Sequence, residues 1–203
     1  MRAGSHCRSN LSEDHGSQLV EFAVTLPLLV VFVVGIFDFS GAFTLKQKLT
    51  NVARDAARVA AADPASDIPA SSTTLPASVA DAYQDIANYF TANGLNNCGL
   101  TPSTGSYTSP AIWTFSASGS GCPGTGLTII INRGYYFPES SSSTAPSVTC
   151  APENVGSQTA VIGTCVSIQY AYQWRFGNVV TLLGSSALLP STISVTAVAM
   201  NEN

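Results

Sequence analysis

Glu21 is a lone charge in an apolar run. Between Leu19 and Phe37, 19 residues, every other side chain is uncharged. As a helix that run rises about 28 Å, enough to cross a bilayer core of roughly 30 Å. A carboxylate there has two uses. It can neutralise a cation inside lipid or inside a protein assembly, since a lone charge at a helix centre costs about 2.5–3.5 kcal/mol. Alternatively, because Glu21 lies near the start of the run, it can reach back to the headgroups and do no more.

The cysteines are the second group with chemistry to offer. Cys7 precedes the apolar run; Cys98, Cys122, Cys150 and Cys165 all follow it. None has CxxC spacing, and both histidines, His6 and His15, lie before the run, so a zinc site has no motif to build on. Two disulfides account for the four better, and they imply an oxidising compartment. Three connectivities are open; pairing of chain neighbours, Cys98–Cys122 and Cys150–Cys165, is the one expected here. Four buried free thiols are the alternative. Acid–base chemistry finds no such group. Asp81, Asp85, Glu139 and Glu153 have no motif spacing, and the later part of the chain has no histidine, no GxSxG elbow and no phosphate loop. No catalytic residue, metal or cofactor is expected.

These residues need elements to hold them. Charged residues are 10% of the chain and hydrophobic ones 45%, with the long apolar character gathered into one segment, as in a membrane-anchored exported protein. The run is longer than a signal-peptide core and no small-x-small site follows it, so a retained anchor is the expectation. Helix should then continue to Ala62. Leu45, Leu49, Val52, Ala56 and Val59 recur at spacings of three and four, and Ala53, Ala57, Ala60 and Ala61 broaden that stripe. Lys46, Lys48, Arg54 and Arg58 project elsewhere. Pro27 and the Ser40–Gly41 pair are the expected kinks, and Asp63–Pro64 the stop.

A proline-broken linker, 63–77, leads to a second helix at 78–93. Ser78 with Asp81 reads as a capping box, Gly94 as the stop, and Val79, Tyr83, Ile86 and Phe90 as the buried stripe. Strands follow at 112–115, 127–132, 165–176 and 193–200. In the third, Val166, Ile168, Tyr170, Tyr172, Trp174 and Phe176 alternate with Ser167, Gln169, Gln173 and Arg175, which predicts a half-buried antiparallel strand. Ser140 to Thr144 reads as a low-complexity loop. The fold class is α+β: a long N-terminal helix, transmembrane and then amphipathic, carrying a small head with a second helix and an antiparallel sheet. From Pro64 onward the only cations are Arg133 and Arg175, too few for a nucleic-acid surface. Charge alone would put the C-terminal part in the cytoplasm, since Lys46, Lys48, Arg54 and Arg58 outnumber Arg2 and Arg8. The cysteines argue the other way.

At this point the residues resemble a known family. Gly16-x-x-x-x-Glu21-Phe22 is similar to a prepilin peptidase site of the tight-adherence class. The continuation Val20-Glu-Phe-Ala-Val-Thr-Leu-Pro-Leu-Leu, then Leu49-Thr-Asn-Val-Ala-Arg-Asp-Ala-Ala-Arg, resembles the TadE family of pilus assembly proteins. The resemblance is specific over 16–62; the tail from Ser191 is similar to the family's closing strand. The chain departs in lacking an Arg or Lys before Gly16 and in having Asp55–Ala56 where the family often has Glu-Gly.

The resemblance implies a leader, 1–16, in the cytoplasm, cleaved between Gly16 and Ser17 by a prepilin peptidase. It also implies a single-pass anchor in the bacterial inner membrane and a periplasmic head, 78–203. Cleavage would leave an amine at Ser17, one turn from Glu21, for charge pairing in an assembly with other pilin subunits and the pilus machinery. A minor pilin or pseudopilin is the implied role. A bulk filament subunit is the alternative within the class, and a membrane-anchored enzyme or binding domain the alternative outside it.

Overall fold

The computed structural model describes residues 11–64, 66, 68, 74–108, 111–119, 121–138, 146–151, 159–175 and 190–202. They fall into two compact units: 11–40 with Arg175, and 41–174 with 190–202. The loop expected at 140–144 and Phe176 lie outside the described residues.

Helix α1 is Leu11–Ala62 and continues through Pro27. In the second unit its buried residues are Leu49, Val52, Ala53, Ala56, Ala57, Ala60 and Ala61. Val59, expected in the stripe, is 37% exposed. The small side chains of Ala53, Ala57 and Ala60 let neighbouring elements close on their side, which turns the contact away from Val59.

Helix α2, Ala77–Ala92, buries Val79, Ala82, Tyr83, Ile86 and Phe90. Its start differs from the expected capping box. Pro76 is the N-cap and makes no side-chain cap hydrogen bond, while Ser78 is buried inside the first turn. Proline suits this entry because its ring fixes φ, and its carbonyl accepts the Ala80 N–H at 2.9 Å. The end is a Schellman motif. Gly94 has φ +63°, Leu95 N–H donates to Phe90 C=O at 2.8 Å, and Gly94 N–H to Thr91 C=O at 3.3 Å.

Among the described residues five antiparallel strands follow as a meander in chain order. They are β1 Gly105–Thr108, β2 Ile112–Ala117, β3 Leu127–Pro138, β4 Ala160–Ala171 and β5 Thr192–Met200. Trp113, Phe115, Ile129, Ile131, Val166, Ile168, Val195 and Ala197 join Leu49, Val52, Ala56, Val79, Ile86 and Phe90 in one core. Ile68 and Leu75, between the helices, pack against it. A second, smaller cluster holds Ile130, Tyr135, Cys150 and Cys165.

Two strands run differently from their sequence reading. The third expected strand, 165–176, is displaced: β4 begins at Ala160 and stops at Ala171. Ala171 N–H goes to Gly126 C=O and Tyr172 N–H to Ser191 C=O, so the ladder gives way to loop contacts and Tyr172 and Trp174 lie beyond the strand. Ser167, expected on the open face, is fully buried because its hydroxyl donates to Val148 C=O at 2.7 Å. Strand β3 runs on past Asn132 through a bulge between Asn132 and Tyr135.

That bulge delivers Arg133, one of the largest fully buried side chains. Its guanidinium donates to Ala60 C=O, to Asp63 C=O at 2.8 Å, to Thr164 Oγ1 at 3.0 Å and to Asn201 Oδ1 at 3.3 Å. Asn201 Nδ2 returns a bond to Arg133 C=O at 3.2 Å, and Glu202 N–H donates to Ala61 C=O at 3.0 Å. The last turn of α1 has no basic residue of its own. Arg133 supplies the cation that satisfies its end carbonyls and faces the negative end of its dipole.

Between the helices a repulsion remains. Burial raises the Asp85 carboxyl above its ordinary value, and the Asp55 carboxylate adds to the rise. Asp85 Oδ2 is enclosed with no hydrogen-bond partner among the described residues. A raised folded-state pKa means this contribution to stability is full below the ordinary Asp value and lost as pH rises through the folded value. Asp85→Asn should therefore raise the melting temperature modestly at neutral pH and hardly at all in acid; equal gains at both pH values would count against the repulsion.

Candidate functional site

The first unit is built around the N-terminal part of α1, where the residues expected to act in processing and assembly sit. Helix begins at Leu11, so Gly16 and Ser17 lie inside it and both are exposed. Outside the backbone of its own helix, no atom of the described residues lies within 4 Å of where a Cβ on Gly16 would be, which leaves the backbone open on that side. Glu21 is exposed too, four residues or about 6 Å of helical rise beyond Ser17. Thr25 Oγ1 donates back to Glu21 C=O at 2.9 Å. Pro27 has no N–H to offer the carbonyl of Ala23.

Around this carboxylate the surface is apolar. Leu19, Val20, Phe22, Val24, Leu28, Leu29, Phe32, Ile36 and Phe37 are all exposed large hydrophobics. From Gly16 the helix is long and apolar enough to cross a membrane. A contiguous apolar surface of this size is unfavourable in water; lipid or other subunits would cover it. Past Phe37 the first charge is Asp38. It is buried, and its Oδ1 accepts the Arg175 N–H at 3.4 Å.

In the second unit Cys98 and Cys122 stand at disulfide distance, as do Cys150 and Cys165, with Cα–Cα separations of 5.4 and 5.7 Å. These pairs are neighbours along the chain, 24 and 15 residues apart. Cys98, Cys150 and Cys165 are buried. Among the residues described, no group of three or more His, Cys, Asp or Glu could hold a metal.

Arg133 escaped the sequence reading as a residue with a task. Its signal was present: one of two cations beyond Pro64, set in the run Ile129-Ile-Ile-Asn-Arg-Gly-Tyr-Tyr. A charge in so apolar a strand has to be bonded.

No curated protein and no solved structure matches the chain. A family model does, over residues 16–58, which lie wholly within α1 and include Gly16, Glu21 and Arg58. Over that segment the chain is similar to the family described as TadE-like protein.

Proposed function

We propose that this protein is a single-pass membrane minor pilin or pseudopilin that assists assembly of a tight-adherence pilus. One observation carries the reading: an exposed apolar helix whose only charge over 19 residues is Glu21, inside the segment that matches the TadE-like family. Cleavage between Gly16 and Ser17 by a prepilin peptidase creates a cation one turn from Glu21. A subunit entering the assembly pairs that amine with a neighbour's carboxylate, cancelling two charges in a dry environment and fixing the register of the two helices. The head lies in the periplasm, where oxidation of the two cysteine pairs is favoured. The role is one of assembly and not of catalysis.

The test is Glu21→Ala in the native host. The head's melting temperature should stay as in wild type, because residue 21 belongs to the other unit. Capture of partner pilins and surface piliation should be lost or fall steeply. N-terminal sequencing of wild type should begin at Ser17. Normal piliation by the variant would reduce Glu21 to a residue reaching for the headgroups, and a chain cut elsewhere would remove the amine from the argument.

A further inference from the structure

Beyond β4 the chain sets Tyr172 beside α1 and Trp174 against Tyr172. Tyr172 and Trp174 meet edge to face, with ring centroids 5.1 Å apart. The Tyr172 hydroxyl lies 3.2 Å from where a Cβ on Gly41 would be, so the glycine leaves room for that end of the side chain against the helix. Trp174 Nε1 donates to Pro190 C=O at 2.8 Å. Both rings are only half-buried. On the other side of α1, about 200° and 140° around the helix from Gly41, Phe43 is 63% exposed and Lys46 is exposed too.

The order along the helix decides what these residues face. The apolar run ends at Phe37 and Gly41 is four positions on, about 6 Å of rise. Apolar run, aromatic rings, then lysine is the sequence of environments met on leaving a bilayer core. Tyr and Trp concentrate at headgroup depth because they present an apolar body and a polar tip. Here the indole N–H already has a protein acceptor, so its ring can enter that boundary without stranding a polar group. Lys46 matches the phosphates in charge.

We propose that Tyr172 and Trp174 on one side of α1, with Phe43 and Lys46 on the other, form a membrane-surface anchor that seats this end of the head in the phospholipid headgroup layer. The proposal rests on the reading of α1 as a bilayer-spanning helix and adds which residues of the head touch lipid.

The chain has two tryptophans, and Trp113 is buried in the core, so Trp113→Phe leaves Trp174 as the sole indole. The full chain is reconstituted into vesicles of phosphatidylcholine and phosphatidylglycerol. Bromine is placed either high on the acyl chains, near the headgroups, or deep, near their ends. Resistance to an alkaline wash is scored first and tests the spanning helix alone. In wash-resistant protein the shallow bromines should remove most of the Trp174 emission and the deep ones little. Should Trp113→Phe fold poorly, subtracting the emission of Trp174→Phe from that of wild type isolates the same signal. Wash-resistant protein whose Trp174 emission is equal in brominated and plain vesicles overturns the anchor. So does a Trp174 shielded only when other pilus subunits are added, which would assign this end to a protein partner. A chain that washes off the vesicles refutes the spanning reading, and with it the anchor.

Discussion

Arg133→Met should destabilise the head by about 3 kcal/mol, the scale of two or three buried hydrogen bonds to a charged group. For a unit of this size that is a melting-temperature loss on the order of 10 °C. Methionine fills much of the volume, so the loss reports the stranded acceptors: Ala60 C=O, Asp63 C=O, Thr164 Oγ1 and Asn201 Oδ1. A buried charge also has a desolvation cost, and where that dominates, an apolar replacement is neutral or better. Here the guanidinium sits at a helix terminus that has no basic residue in its last turn, so the local field favours it. Arg133→Lys should recover only part of the loss, because an ammonium cannot bond Ala60 and Asp63 as a planar fork does. Thermal melts of the three proteins in detergent decide it; a Met variant melting with wild type would show that the carbonyls find water.

Breaking either cysteine pair should cost a similar amount. The chain-entropy argument gives about 3 kcal/mol for closing a loop of the size that Cys150 and Cys165 span, and slightly more for Cys98 and Cys122. Unreduced protein from an oxidising compartment should weigh four hydrogens less than the reduced chain. The double variant Cys98→Ala/Cys122→Ala should melt lower by roughly 10 °C. Cys150→Ala/Cys165→Ala should also loosen residues 147–151 over the sheet, which hydrogen exchange would register. Four free thiols by mass would remove both the stabilisation and the case for an oxidising compartment.

Much of this architecture was legible because it is periodic. The α1 run, the Val79–Phe90 stripe and the alternation of β5 each repeat at a spacing that only one kind of element satisfies. What failed to show was local and aperiodic. Strand β1 is four residues, Gly105-Ser-Tyr-Thr, and its residue types read equally well as loop. Asn132-Arg-Gly looked like a strand end, yet Asn132 Oδ1 accepts the Gly134 N–H at 2.9 Å and the chain bulges and continues. Tyr172 and Trp174 keep the alternation of β4 but not its ladder, since neither the hydrogen bond to Ser191 nor the contact at Gly41 has a sequence signature. At the proposed assembly site, Gly16 and Glu21 were singled out by type and spacing; that Gly16 lies inside a helix beginning at Leu11 was not legible.

The strand order has a consequence for how the protein is made. Each strand of the meander pairs with the one before it, so hairpins can add one after another as the polypeptide emerges; the first two close over 3 and 9 residues and the last two over 21 and 20, a cost that grows only slowly with length. Lashing the sheet to the helix is different. Arg133 reaches Ala60 across 73 positions, and Asn201 and Glu202, which complete that clasp, come after every strand of the sheet. Until then the apolar side of the sheet and the alanine stripe of α1 have each other as cover but no lock. Folding therefore has a vulnerable window after the sheet has formed and before the clasp closes, when a chain shielded by a chaperone is safest from proteases.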